Sequence, residues 1–132
     1  MMPHIKRLLG DKTLLLIAVL YSLTISVLFF IPSPELPEIQ ISAVDKIVHI
    51  LIYFILINIW MLYFYRKKNF HLENKWILLL LLSVLFYGII IEILQGLFTV
   101  SRSADIIDIA ANFIGSLLGI FFFKSIKHKF NF

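Results

Sequence analysis

Apolar residues along this chain fall into four blocks of nearly equal length, at about 13–31, 45–65, 76–100 and 105–123, and polar residues gather between them. The blocks show neither the strict alternation of a half-buried strand nor the single apolar stripe of a soluble amphipathic helix. An α-helix rises about 1.5 Å per residue, and a bilayer's hydrocarbon core needs roughly 20 mostly apolar residues to cross it. The pattern therefore predicts an all-α membrane protein, a bundle of four transmembrane helices in a single domain spanning residues 1–132.

The segments between the blocks set the expected boundaries. The first block follows Lys6, Arg7 and Lys12. It exceeds the roughly 7–15 apolar residues of a secretory signal and no small-x-small cleavage site follows, so it reads as an uncleaved first helix. Pro32, Pro34 and Pro37 remove backbone donors and fix φ, which predicts an extended loop as far as Ala43. Asp45 is then placed to cap the second helix with its side-chain oxygen. Arg66, Lys67, Lys68 and Lys75 separate the second and third blocks, Ser101–Ala104 form a turn, and Lys124, Lys127 and Lys129 follow the fourth.

Composition supports a bilayer setting. The chain is 61% hydrophobic and 15% charged, against about 45–50% and about 25% for a soluble domain. With no cysteine, thiolate metal sites and cysteine nucleophiles are excluded. A net charge of +4 invites a nucleic-acid reading, but the Lys and Arg residues flank apolar blocks and act as topology determinants, so no nucleic-acid partner is expected. Ten of the 12 lie before the first block, between the second and third, and after the fourth, leaving only Lys46 and Arg102 elsewhere. Because cytoplasmic loops retain basic residues, both termini are expected inside (N-in/C-in), and the Pro-rich segment and the Ser-Arg-Ser turn outside. Tyr63, Tyr65 and Trp76 fit interfacial anchoring, in this orientation or its opposite.

The polar residues within the blocks form a pattern of their own. Asp45, His49 and Tyr53 are spaced by four and share a helix face, with Lys46 beside them. Glu92 and Gln95 are neighbours on the third helix, and Asp105, Asp108, Asn112, Gly115 and Gly119 draw one stripe on the fourth. Depths agree across helices. Glu92 falls about 12 Å inside Val100, Asn112 about 10 Å below Asp105, and His49 and Tyr53 about 6 and 12 Å below Asp45. All converge in the outer half of the bundle.

A charged group at the centre of a membrane helix costs about 2.5–3.5 kcal/mol on insertion scales, so it faces protein or a wet cavity and often carries function. Each residue also has a structural explanation. Glu92 and Gln95 can join helices by hydrogen bonds; Asp45 and Asp105 can cap helices and pair with Lys46 and Arg102; His49 can be a packing residue; Gly115 and Gly119 form a GxxxG packing pair. Together, four acids with His49, Lys46 and Arg102 exceed what packing requires. Asp45, His49, Glu92 and Asp108 have metal-donor chemistry, yet no diagnostic ligand motif appears and the site is read without a metal. Gly-rich phosphate loops, HExxH and nucleophile elbows are absent as well, and the sequence leaves any cofactor unknown.

At these residues the sequence resembles the VanZ-like family of bacterial membrane proteins, named for a teicoplanin-resistance protein. Asp45, Lys46, His49 and Tyr53 match its Asp-Lys-x-x-His motif with the following Tyr, and Glu92 and Gln95 match Glu-x-x-Gln. Arg102, Asp105, Asp108, Asn112, Gly115 and Gly119 match its third segment. The resemblance runs from Asp45 to Gly119, with the first helix alike only in kind. It implies a place in the bacterial cytoplasmic membrane and a link to the cell envelope and glycopeptide susceptibility. The leading expectation is an outward-facing pocket that binds or modifies an envelope lipid or lipid-linked cell-wall precursor. Glu92 or Asp108 would then be the general base, His49 an acid or ligand, and Arg102 and Lys46 the holders of an anionic headgroup. The alternatives are a non-catalytic binding or assembly protein and a small ion or proton pathway. The pathway ranks last because the inner halves of helices two to four offer little polarity beyond Asn58 and Ser83.

Overall fold

The computed structural model describes residues 10–29, 38–68, 71–98 and 106–127. These form four α-helices and no strand: α1 (Asp11–Phe29), α2 (Glu38–Lys67), α3 (Asn74–Phe98) and α4 (Ile106–Ile126). Three contain stretches long and apolar enough to cross a membrane, Lys46–Lys67, Asn74–Leu97 and Ile106–Ile126, with mean hydropathies of 2.2, 2.8 and 2.0. The apolar stretch of α1, Lys12–Leu28, is shorter. Leu79, Leu82, Phe86, Leu97 and Phe121 are more than half exposed on the outside of the bundle, a surface suited to acyl chains. The chain is a helical membrane protein.

The main departure from the sequence expectation is at the start of α2. The helix begins at Glu38 rather than Asp45 and runs for 30 residues, so much of the expected extended loop is helical. The prolines stop at position 37, and Glu-Ile-Gln-Ile-Ser-Ala-Val contains nothing that breaks a helix. Asp45 thus lies inside the helix, where the free amides of an N-terminus are absent, and the capping role assigned to it is withdrawn. The turn at Ser101–Ala104 and the caps expected there lie outside the described residues.

α2 lies at the centre and touches the other three helices. Its closest partner is α4, which runs parallel to it. A Cβ on Gly115 would lie 2.3 Å from the backbone oxygen of Ile50, and one on Gly119 would lie 2.3 Å from Ile57 Cγ2. The amide of Asn58 donates to the Gly119 carbonyl at 3.2 Å. Such an interhelical bond averages about 0.6 kcal/mol in a membrane protein, so close backbone approach is the larger attraction in this seam. On α4 the buried residues are Asp108, Ala111, Asn112, Gly115, Ser116, Gly119, Ile120 and Phe123, a stripe that passes from polar to small to apolar along one face.

α1 is held by hydroxyl and indole groups. Tyr21 donates to the Ile52 carbonyl at 2.9 Å, Trp60 Nε1 donates to Ser22 Oγ at 3.1 Å, and Tyr87 donates to the Ser22 carbonyl at 2.9 Å. Tyr63 and Tyr65 are buried, and Tyr65 meets Phe123 edge-on at 5.5 Å. These two are core aromatics rather than the interfacial anchors the sequence suggested, because α2 is enclosed on more of its circumference than an outer helix is. Trp76 is more exposed, 39%, with Lys68 Nζ 4.0 Å from its ring centroid.

Candidate functional site

Three helices bring their polar residues to one end of the bundle: the early part of the α2 span, the last turns of α3 and the first turn of α4. Lys46 donates to Asp108 Oδ1, joining α2 to α4. His49, one turn along α2, places Nε2 at 3.7 Å from Glu92 Oε1 and at 3.7 Å from Asp108 Oδ2. The imidazole therefore stands between two carboxylates from two different helices. His49 and Glu92 are only 1% and 2% exposed, and Asp108 is buried as well. Lys46, at 22% side-chain exposure, is the most accessible member of the four.

Below this quartet a second polar layer surrounds Gly88. A Cβ at that position would lie 3.0 Å from both Asn112 Nδ2 and Tyr53 Oη. Gly88 precedes Glu92 by one helical turn and Asn112 follows Asp108 by one turn, so the layer sits directly beneath the acids. Here glycine makes room for polar side chains of α2 and α4; any side chain on α3 would displace them. Asn112 Oδ1 is buried and has no hydrogen-bond partner among the described residues. The Tyr53 and Tyr87 rings, 6.4 Å apart, connect the layer with the hydroxyl network of α1.

Charge decides what the quartet can do. With both acids ionised, one ammonium opposes two carboxylates, leaving one negative charge in a low-dielectric region. Ion pairs taken out of water are tolerated only when further partners satisfy them. A proton on His49, a proton on Glu92 or a bound cation would each restore neutrality or reverse the sign. An imidazole between two carboxylates suits proton transfer and ligation alike.

Of the residues singled out from the sequence, Lys46, His49, Glu92 and Asp108 lie together, with Tyr53 and Asn112 in the layer beneath. Gln95 is buried near the same end of α3, one turn from Glu92 on its inward face. Gly115 and Gly119 lie deeper, against α2. Asp45 is within α2 but its side chain is outside the described set, as are Arg102 and Asp105. Lys46 reaches Asp108, and the pairing expected with Asp45 or Asp105 lies outside the described residues. Consecutive residues on a helix point about 100° apart, so Lys46 is turned toward α4. Sequence reasoning overlooked Gly88, whose only signal is a glycine in an unbroken apolar helix, and the contacts of Ser22, Tyr21 and Tyr87 with neighbouring helices.

A helical membrane protein with a buried acid–histidine cluster at one end of its bundle is thus defined by its own geometry. The chain belongs to the VanZ/LLP1 family, which it matches over residues 16–127. That span takes in all but the first few residues of α1 as well as the three longer helices. No curated protein and no solved structure matches it.

Proposed function

We propose that the Lys46–His49–Glu92–Asp108 cluster is the working site of an envelope-associated membrane protein, which binds or modifies an anionic lipid or lipid-linked cell-wall precursor and thereby alters glycopeptide susceptibility. The observation that carries this reading is the burial of two carboxylates and a histidine, contributed by three helices, at a level where packing alone favours apolar side chains. In a catalytic version Glu92 or Asp108 is the general base and His49 relays the proton. Lys46, which also engages Asp108, and Arg102, as the family resemblance implies, would hold the phosphate. The family's association with teicoplanin resistance supports the envelope setting.

In this proposal all four helices cross the bacterial cytoplasmic membrane, both termini are cytoplasmic, and the site faces outward. The distribution of Lys and Arg supports that orientation. With no cysteine in the chain, an introduced thiol is unique. A cysteine at Ser103 is expected to react with an impermeant maleimide in intact cells and one at Asn69 only after lysis. The opposite pattern would place the cluster on the cytoplasmic side.

A second reading treats the cluster as glue between helices, and the near-complete burial of His49 and Glu92 favours it. Glu92→Gln and Asp108→Asn separate the two, since each keeps side-chain volume and hydrogen bonding while removing the charge. At matched membrane levels both variants are expected to lose the effect on teicoplanin susceptibility in a test strain, whereas Leu79→Ala, on the lipid-facing side, retains it. Wild-type susceptibility in both acid variants would leave the structural reading standing.

A further inference from the structure

We propose that His49, Glu92 and Asp108 form a binding site for one divalent cation of the zinc class, with an open coordination position for water or a phosphate oxygen. The inference concerns the same residues as the functional reading above but does not depend on it, because cation binding is measurable without a lipid; with the cation bound these three residues are ligands rather than general base and proton relay.

Geometry is the first support. One donor atom from each residue can be chosen so that all lie within 4.8 Å of one another, and the two separations from His49 are 3.7 Å. Three donors within 4.8 Å of one another enclose a point at most about 2.8 Å from every corner. Zinc bonds to imidazole nitrogen and carboxylate oxygen are about 2.0–2.2 Å, a contraction that small side-chain rotations supply. One nitrogen and two oxygens are a borderline donor set, which suits zinc better than magnesium or calcium, whose sites are built from oxygen alone. Three protein ligands with a position left over is also the arrangement of metal sites that take up water or substrate.

Two further observations point to a ligand. Asn112 Oδ1 is fully buried with no hydrogen-bond partner among the described residues, one turn beneath Asp108 on the same helix face. An unpartnered buried acceptor there leaves one hydrogen bond for a bound water or ligand to supply. The Lys46–Asp108 pair supplies the other observation. Lys46 engages Oδ1 while Oδ2 faces His49, so the ammonium holds the carboxylate with one oxygen directed at the other two donors. Lys46 is a positioning residue in this arrangement, of the kind that orients ligands from outside the coordination shell.

Charge then gives the site a purpose. Among the described residues of the cluster, Lys46, Glu92 and Asp108 sum to one negative charge. A divalent ion changes the sum to one positive charge, which attracts a phosphate.

Four histidines occur in the chain, at positions 4, 49, 71 and 128, which allows a decisive test. The full chain carrying His4→Gln, His71→Gln and His128→Gln is purified in detergent, stripped with chelator and titrated with Zn2+ and, for spectroscopy, Cu2+. We expect one equivalent of Zn2+ per chain, a higher melting temperature on binding, and nitrogen hyperfine coupling in the Cu2+ spin-resonance spectrum from the one imidazole left. Glu92→Gln and Asp108→Asn in this background should each weaken Zn2+ binding at least tenfold, with Leu79→Ala unchanged. If the acid variants do not stay monodisperse, stoichiometry and nitrogen coupling in the parent decide the matter. No saturable Zn2+ binding above the detergent blank, binding without nitrogen coupling, selective binding of Ca2+ or Mg2+, or undiminished binding in folded acid variants would each overturn the site.

Discussion

Gly115→Ala is expected to be the most damaging single-methyl change in the protein. The new Cβ would lie 2.3 Å from the Ile50 backbone oxygen, 2.9 Å from its Cα and 3.0 Å from its carbonyl carbon. Ordinary contact begins about 1 Å farther out, and backbone cannot rotate away as a side chain can, so α4 must shift as a whole. Overpacking of this kind costs about 1–3 kcal/mol and occasionally more. The gain in helix propensity on replacing glycine is only about 1 kcal/mol. Because the clash is with backbone, the upper end of that range applies, and we expect a net loss of up to about 2 kcal/mol and a fall in the midpoint of thermal unfolding in detergent. Gly119→Ala should be milder, since its nearest neighbour is the methyl group of Ile57, although that β-branched chain has little rotamer freedom in a helix. Gly96→Ala, at an exposed position of α3, controls for propensity and should leave stability unchanged or slightly raised. Replacing Gly115 or Gly119 by Leu should prevent the α2–α4 seam from forming. Equal midpoints for wild type and Gly115→Ala would show that the parallel α2–α4 approach is looser than described.

The second large effect is expected at the ion pair between Lys46 and Asp108. Lys46→Met keeps the length of the side chain and removes its charge, leaving a carboxylate of 10% side-chain exposure beside Glu92. Removing one partner of a buried pair costs about 3–5 kcal/mol; because Lys46 retains some exposure, about 2–3 kcal/mol is the better expectation here. Asp108→Leu alone takes this carboxylate away from the ammonium and should also destabilise. The double variant leaves no orphaned charge from this pair and is expected to recover most of the loss, as apolar replacements of buried ion pairs often do. Thermal unfolding of the four proteins of this cycle measures the coupling directly. Additive losses would mean that the two side chains are not coupled, and Asp108 would then be oriented by something other than Lys46. Recovery of stability without recovery of the susceptibility phenotype would separate what the pair contributes to folding from what it contributes to function.

Much of the arrangement is legible in one dimension because a membrane helix is regular. Each residue advances the chain by about 1.5 Å, so counting from the block ends places Glu92 and Asn112 at similar depths, bracketed by His49 and Tyr53, before any contact is known; in the structure His49 meets Glu92 and Asp108, and Asn112 lies one turn beneath. The spacing of three and four on the last helix likewise puts Asp108, Asn112, Gly115 and Gly119 on one face, the face that is buried. Continuous hydrophobicity marks the helices themselves, since a backbone in lipid has to satisfy its polar groups internally.

What the sequence could not determine depends on rotation about the helix axes and on distances between them. Which acid Lys46 reaches follows from how α2 is turned toward α4, and that is set by Gly115 meeting the backbone of Ile50. The same close approach fixes His49 between Glu92 and Asp108, a placement to which three separate helices contribute and which no local spacing encodes. The start of α2 at Glu38, the burial of Tyr63 and Tyr65, and the space at Gly88 filled by Tyr53 and Asn112 are of the same kind. Periodicity gives a residue its level and its face, but side-chain partners are settled only when whole helices pack, because a small rotation or shift of one helix exchanges every neighbour along its length.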